Sequence, residues 1–116
     1  MIDEHLLDEP GDAGEHGAAE DEQLAVTKEC SALISKHSGE KLGFVNFEGC
    51  ITAKAIVAGL ERAGKTPTRD GLILAMQDFK AVDLGGIALT ITADNHQASN
   101  EVYMTQIRDG KIVKLR

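Results

Sequence analysis

Aromatic residues are scarce in this sequence: among its 116 residues there are three Phe, one Tyr and no Trp. Aromatic stacking chemistry is therefore scarce too, and the core has to be filled by Ile, Leu, Val and Ala. A chain of this length can bury a usable core as one domain. It is too short to hold two lobes.

Long apolar runs are also missing. No run approaches the ~20 residues that a membrane span requires, and the first residues lack the basic-then-apolar pattern of a signal peptide. From the sequence as written we therefore expect a cytoplasmic chain.

Basic residues are absent from residues 1–23, which hold nine Asp or Glu. The remaining residues carry twelve bases and ten acids, a balance of +2, so the net charge of −7 comes from the N-terminal segment. No basic stripe favours a nucleic acid partner. We interpret residues 1–19 as an acidic flexible tail that buries too little apolar surface to fold, either simply solvated or binding a partner.

Cysteine is sparse as well, with one residue at Cys30 and one at Cys50. Two cysteines do not make a disulfide framework, and their spacing fits neither a zinc site nor a redox CxxC pair. We predict that both are small buried hydrophobic residues, which is common for free cysteine. A functional thiol is the alternative.

Catalytic motifs are not found. There is no nucleophile elbow, phosphate-binding loop or suitable carboxylate pair, and Gly85-Gly86 precedes a predicted strand rather than a helix. His96 lies in a polar loop beside Asp94 and Asn95 with no second metal ligand at suitable spacing, so we favour a turn-stabilising role for it. We predict no enzyme, no metal and no cofactor. The other histidines lie in the tail or near a helix end and give little support for a metal site: His5, His16 and His37.

Apolar periodicity predicts three helices. The first spans about 20–37 and ends in cations followed by Gly39, as helix C-termini often do. The second, at 47–63, is apolar on so much of its circumference that it requires cover on more than one side. The third begins with Thr68 as its N-cap and Asp70 in its first turn. Its predicted buried stripe consists of Leu72, Ile73, Met76 and Phe79.

Two further patterns predict strands. Apolar and polar residues alternate from 87 to 92, as in a strand, and Asp109-Gly110 between two apolar runs predicts a β-hairpin. Residues 41–46 are too few to distinguish a buried strand from an extended connector. The order of these elements predicts an α/β domain whose helices cover a small sheet, with a C-terminal β-hairpin.

The candidate ligand-binding residues are Phe47 and Glu48. If residues 42–45 form a strand, Asn46, Phe47 and Glu48 lie where a strand ends and a helix begins, which is where doubly wound sheets bind ligands. Glu48 then either faces a ligand ammonium group or complements the helix dipole, and we favour the dipole. For Phe47 we favour a place in the core over one in a cleft.

Five segments carry a family resemblance. They are residues 45–54 (Val-Asn-Phe-Glu-Gly-Cys-Ile-Thr-Ala-Lys), 62–69 (Arg-Ala-Gly-Lys-Thr-Pro-Thr-Arg), 83–86 (Asp-Leu-Gly-Gly), 94–99 (Asp-Asn-His-Gln-Ala-Ser) and 103–113, which includes Asp-Gly-Lys. In this order and spacing they resemble the late part of solute-binding proteins of the branched-chain amino acid transporter family. The sequence departs from the family pattern at Cys30 and Cys50, where Tyr is common, and at Ala98, where Gly is usual.

The resemblance implies a partial doubly wound, Rossmann-like lobe of a type 1 periplasmic binding protein. Residues 20–116 would be its C-terminal portion, with about 24–98 in the first lobe, about 99–102 as a hinge crossing and 103–116 as a terminal hairpin docked on the second lobe. Family members clamp a small ligand between two lobes and deliver it to a permease of the ATP-binding cassette (ABC) class. They do so in the periplasm or outside the cell.

On this basis we expect a fragment of a protein that binds amino acids or similar solutes. It would not bind ligand alone, because most ligand contacts in the family come from earlier in the chain. The alternative is a small regulatory or sensor module that reuses this part of the fold. Such a module would bind a partner or form a homo-oligomer through exposed apolar helix faces.

Overall fold

The computed structural model describes residues 23–115. The described residues form three helices followed by four short strands, which we number in chain order. The helices are α1 (Ala25–Ser38), α2 (Phe44–Ala63) and α3 (Arg69–Met76), and the strands are β1 (Val82–Asp83), β2 (Ala88–Leu89), β3 (Thr105–Arg108) and β4 (Lys111–Lys114). None of the helices in this part of the chain is both long and apolar enough to cross a membrane. The predicted acidic tail at 1–19, with His5 and His16, lies outside the described residues.

Helix α1 ends as the sequence predicts. Gly39 has φ 73°, in the left-handed region, and its N–H donates to the carbonyl of Ser35. Lys36 and His37 occupy the last turn. A cation such as the Lys36 ammonium group is stabilising there, at the negative end of the helix dipole. The helix begins at Ala25, because Leu24 before it has an extended backbone, with φ −69° and ψ 134°. The predicted start at about residue 20 is therefore too early.

Helix α2 begins at Phe44, three residues earlier than predicted, so the possible strand at residues 42–45 is wrong. The reason is local. The side-chain oxygen of Asn46 accepts the N–H of Gly43 at 2.7 Å and so satisfies a donor at the start of the helix. Val45, which a buried strand would have covered, is 83% exposed on the first turn.

Helix α3 has the predicted cap: the Thr68 hydroxyl accepts the N–H of Gly71 at 3.0 Å. Phe79 is fully buried just beyond the helix. The predicted burial of Ile73 is wrong, because this side chain is 52% exposed. Helix α3 turns Leu72 and Met76 towards Gly59 of α2, where an added Cβ atom would lie 2.7 Å from Met76 Cγ. The two helices therefore approach closely through a glycine, and Ile73 lies outside that contact.

The strands form two separate antiparallel pairs. In the first, Val82 of β1 pairs with Leu89 of β2. The predicted alternation of burial is confirmed, since Ile87 and Leu89 are buried while Ala88 between them is exposed. The strand itself spans only Ala88–Leu89 and is shorter than the predicted 87–92. The second pair, β3 and β4, is the predicted hairpin. Its turn at 109–110 has positive φ at both central residues, 51° and 75°, as a two-residue hairpin turn of this kind requires.

One small hydrophobic core joins the helices to the first strand pair. Each of α1, α2, the segment after α3 and the β1–β2 region contributes to it, so no pair of elements forms a core by itself. As the composition indicates, aliphatic residues dominate, with two Phe side chains among them. The buried members are Val26, Cys30, Phe47, Ile51, Phe79, Leu84, Ile87 and Leu89.

Cys30 of α1 and Cys50 of α2 form a disulfide bond. The prediction that both are unpaired hydrophobic residues is therefore wrong, although Cys30 is fully buried as expected. Their Cα atoms lie 6.0 Å apart across the α1–α2 contact, within the range a disulfide spans. The chain runs down α1 and back along α2, and this reversal brings the two residues together despite their separation of 20 positions. Their spacing in the sequence contains no sign of this.

The turn between β1 and β2 fixes the start of α1. The Val26 N–H donates to the carbonyl of Gly85 at 2.9 Å. The turn is itself held by the Asp83 carboxylate, which accepts the N–H groups of Gly86 at 2.7 Å and Gly85 at 2.9 Å. These two bonds, the one from Gly86 first, lower the pKa of the exposed Asp83 below its ordinary value of 3.8.

We expect the Gly85→Ala variant to lose much of the stability of the described fold. Gly85 has φ 110°, and a Cβ atom there would lie 2.8 Å from the backbone nitrogen of Val26. Positive φ at a non-glycine residue costs on the order of 1–3 kcal/mol, and the overlap adds about 1–3 kcal/mol. Urea unfolding followed by circular dichroism measures the sum.

Gly64→Ala is the matched control for this test. Gly64 also has positive φ, 94°, but a Cβ atom there would meet nothing within 4 Å. The Gly64→Ala variant should therefore lose only the free energy that positive φ costs a non-glycine residue, about 1–3 kcal/mol. Equal losses of unfolding free energy in the two variants would contradict the close contact between the turn and α1.

Candidate functional site

The first turn of α2 holds the residues predicted to contact a ligand. Asn46 acts in the helix cap: besides accepting from Gly43, its side chain donates to the carbonyl of Lys41 at 2.9 Å. Phe47 is fully buried in the core. Glu48 is exposed in the N-terminal part of the helix, where a carboxylate complements the dipole. The strand that was expected to precede them is absent, and the ligand-binding role of Phe47 and Glu48 remains a prediction.

A polar loop at residues 92–100 lies against the end of α3. Within it, the Asn95 N–H donates to the hydroxyl of Thr92 at 3.0 Å, and the Gln97 N–H donates to the side-chain oxygen of Asn95 at 2.9 Å. His96 Nε2 lies 3.2 Å from Nε2 of Gln77, next to the C-terminus of α3. His96 thus joins the loop to the helix. Across residues 23–115, no three His, Cys, Asp or Glu side chains are grouped so as to hold a metal ion.

An open depression lies between α2, α3 and this loop. Arg62 forms part of its wall, and its guanidinium is held in place by the carbonyl of Ala58 at 3.2 Å and by the ring of Phe79, whose centroid is 5.1 Å away. Ligand pockets usually bury most of a small molecule, whereas this surface is broad and open. The lining residues are Arg62, Ala63, Gly71, Leu74, Ala75, Gln77, Asp78 and Ala93.

The segment at residues 99–104 leads from the helical part to the hairpin, and we call it the connecting segment. It has no helix or strand, and two of its apolar side chains, Val102 and Met104, are 63% and 62% exposed. In the described residues, β3 and β4 pair with each other and with no other strand. The hairpin is therefore attached to the rest of the fold mainly through this segment.

Tyr103 of the connecting segment contacts both the hydrophobic core and the hairpin. It packs against the core from its partly buried position, and its hydroxyl donates to Glu101 at 3.3 Å. The ammonium group of Lys114, on β4, lies 4.5 Å from the centre of its ring. This cation–π contact joins the hairpin to the tyrosine and, through it, to the core.

The outer surfaces of α2 and α3 carry large exposed apolar side chains, which we call the apolar surface. Helix α2 packs against both α1 and α3, and part of its circumference still faces solvent. This agrees with the expectation that the helix requires cover on more than one side. The members, with their exposed fractions, are Ile56 (44%), Val57 (53%), Leu60 (40%), Ile73 (52%) and Leu74 (68%).

The surface features of residues 23–115 are the open depression beside Arg62, the connecting segment and the apolar surface. The charged side chains in this range are mostly exposed, and Asp83 is the group whose pKa is clearly shifted, by backbone N–H groups of its own turn. Sequence reasoning missed the Cys30–Cys50 bond and the contact between Lys114 and Tyr103. Both join residues on different elements, and neither has a sequence signature.

Two known groups of proteins were compared with the chain: protein families and curated proteins. A family model described as a periplasmic binding protein matches residues 14–111, so the match begins within the segment predicted to be a tail. No curated protein shows significant similarity to the chain.

A solved structure is similar in fold. It is described as a possible leucine/isoleucine/valine-binding protein from Rhodopirellula baltica SH 1, with a TM-score of 0.74 and 26% sequence identity. The similarity covers 83% of the present chain but 27% of the solved chain. The present chain thus spans about a quarter of the length of the protein that it resembles.

We expect Lys114→Met to loosen the hairpin. Loss of a cation–π contact between partly exposed side chains removes about 0.5–1 kcal/mol, so amide hydrogens of β3 and β4 should exchange about two- to fivefold faster. Lys111→Met is the control, because it removes the same charge from the same strand at an exposed position next to the turn. Equal exchange in both variants, measured by nuclear magnetic resonance, would show that Tyr103 does not hold the hairpin.

Proposed function

The chain belongs to the periplasmic binding protein family, and we propose from this that it forms part of a protein that takes up amino acids or similar small organic solutes. The family match across residues 14–111 carries the proposal. The solved relative described as a possible leucine/isoleucine/valine-binding protein supports an amino acid-like ligand. The fold is the predicted one, a partial lobe of the type 1 periplasmic binding protein class with a C-terminal strand pair. The proposed activity is binding, not catalysis.

The proposed mechanism is reversible closure of two lobes around the ligand. Ligand contacts formed only in the closed state shift the population towards it, and rotation takes place at a few residues between rigid parts. We assign residues 24–98 to the first lobe, 99–102 to a hinge crossing and 103–116 to a hairpin docked on the second lobe. The connecting segment, which lacks helix and strand, and the hairpin, which pairs with itself, support this division.

The ligand pocket in this proposal is completed by other parts of the protein. The depression beside Arg62 is open, and Phe47 is committed to the core. Glu48 is exposed in the N-terminal part of α2, where it would face a ligand ammonium group or complement the helix dipole. We therefore propose that this chain by itself does not hold an amino acid.

The proposed location is the periplasm, and the proposed receiver of the solute is an ABC permease. The family is periplasmic, and the Cys30–Cys50 bond favours the same compartment, because disulfides persist where the surroundings are oxidising and are rare in the cytosol. This is the compartment that the family resemblance implies for the whole protein.

Titration calorimetry tests the ligand proposal. The chain alone should give no binding heat with leucine, isoleucine, valine or the aromatic amino acids. The same chain expressed with the genomic reading frame that precedes it should bind one of them stoichiometrically. Ligand at 100 times its Kd should also stabilise the extended protein by about 2.7 kcal/mol against urea.

Two results would overturn parts of this proposal. Tight one-to-one binding by the chain alone would show that its pocket is complete. Failure of a folded extended protein to bind any of these amino acids would reject branched-chain and aromatic amino acids as the ligand.

A second candidate function rests on the apolar surface. Large exposed apolar groups on α2 and α3 favour association, and a self-associating regulatory or sensor module would use them as a symmetric interface. In a complete binding protein, the same groups would be covered by other parts of the lobe. Oligomeric state separates the two functions.

If the second function is correct, the chain forms a stable dimer, and Leu60→Glu weakens it by placing a charge in the interface. The cost of burying an unpaired charge is several kcal/mol, so dissociation should rise by more than about 100-fold. Ser35→Glu, on an exposed position of α1, adds the same charge outside the apolar surface and should leave the dimer intact. Size-exclusion chromatography with light scattering reports the mass, and a monomer at high concentration would reject this function.

A further inference from the structure

Helix α1 is attached to the core through its first half. Its buried residues are Val26, Thr27 and Cys30. After Cys30 the helix contributes no buried residue: Leu33 is 43% exposed and Ile34 is only partly covered. The disulfide is therefore the last strong attachment along the helix.

The same bond closes the chain between α1 and α2. The loop between its two cysteines contains the second half of α1, a connector at residues 39–43 and the first turns of α2. Next to the disulfide, Lys54 contacts Glu29 in an ion pair whose side chains are 25% and 50% exposed. Such exposed pairs contribute little stability. Within the loop, Asn46 also bonds to Lys41 and Gly43, and the partly buried Ile34 and Leu42 pack against the edge of the core. The disulfide is the covalent constraint that adds to these contacts.

We propose that the Cys30–Cys50 bond is a redox clamp, and we define the clamped segment as residues 31–43. When the bond is oxidised, the segment is held against α2. When it is reduced, the segment opens while the start of α1 stays in place. Opening stays local because Val26 remains hydrogen-bonded to Gly85 and buried in the core.

The chemistry is thiol–disulfide exchange with a dithiol. Cys50 is partly exposed whereas Cys30 is fully buried, so the attacking thiolate reaches the sulfur of Cys50 and Cys30 leaves as a thiolate that takes up a proton. The second thiol of the reagent then displaces Cys50, which is protonated in turn. The protein gains two electrons and two protons, and the dithiol becomes a cyclic disulfide. Oxidation of the pair by a protein disulfide reverses the process.

The size of the effect follows from loop closure. For a loop of about 20 residues, the chain-entropy model predicts that the bond shifts the balance between closed and open states on the order of 100-fold. In an oxidising compartment the segment is therefore closed.

Limited trypsin digestion of the whole chain tests the clamp. Lys36 and Lys41 lie exposed in the clamped segment, whereas Lys65 and Lys111 lie exposed outside it. After reduction with a dithiol, cleavage at the first two sites should rise on the order of 100-fold, as the loop-closure term predicts. Cleavage at the other two sites should stay the same.

The double variant Cys30→Ala/Cys50→Ala separates the bond from side effects of the reductant. It should be cleaved rapidly at Lys36 and Lys41 with or without the dithiol. If that variant does not fold, reduction and alkylation of the unmodified chain still give the comparison.

Two outcomes would overturn the clamp. Unchanged cleavage at Lys36 and Lys41 after complete reduction would show that the segment is held without the bond. Equal acceleration at all four sites would show that the bond stabilises the whole fold rather than one segment. Neither outcome depends on ligand binding, so the clamp and the proposed function can fail separately.

Discussion

The small core around Phe47 and Phe79 is the contact on which the rest of this structure depends. Both rings are fully buried, and each fully buried side chain of this size contributes about 1.5–3 kcal/mol through the hydrophobic effect. One comes from α2 and the other from the segment after α3, while Val26, Ile87 and Leu89 reach the same cluster from α1 and the β1–β2 region. A chain with three Phe and no Trp has few alternatives. The three helices and the first strand pair are therefore held together at one place.

Because the core is a single small cluster, part of α2 and the whole hairpin lie outside it. Helix α2 uses its buried side for this cluster and for the close approach to α3 at Gly59, which leaves Val57 and Leu60 in solvent. The hairpin has no share in the buried members of the core and is attached through Tyr103. One cluster of packed helices, one irregular segment and one small sheet fit the proposed division into a lobe, a hinge crossing and a terminal hairpin.

Sequence reasoning succeeded where the physical cause is local. The caps at Thr68 and Gly39 and the Asp109-Gly110 turn depend on the backbone and side chains of a few neighbouring residues, so their residue types identify them. The family resemblance succeeded for another reason, because it uses the order of several segments along the chain. It needed no knowledge of which residues touch.

The failures have the opposite cause. Residues 42–45 are apolar enough for a strand, but Asn46 caps Gly43 and the helix begins at Phe44. Ile73 has the spacing of a buried stripe. However, α3 approaches α2 at Gly59 through Leu72 and Met76, and Ile73 lies outside this contact. The candidate site has the same limitation, since the prediction of Phe47 and Glu48 depends on a strand-to-helix junction that the described residues do not contain.

The disulfide between α1 and α2 bears on the proposed binding function. A binding lobe converts ligand contacts into closure only if it moves as one body, because a body that deforms relaxes locally and transmits less of the contact energy to the hinge. In this chain the second half of α1 has no buried residue to make it part of that body. The bond from Cys30 to Cys50 joins α1 to α2 at the edge of the core, beyond which α1 has no buried residue. Its value is highest in the oxidising compartment where family members work, since there the bond is stable and the helix pair is held without further burial.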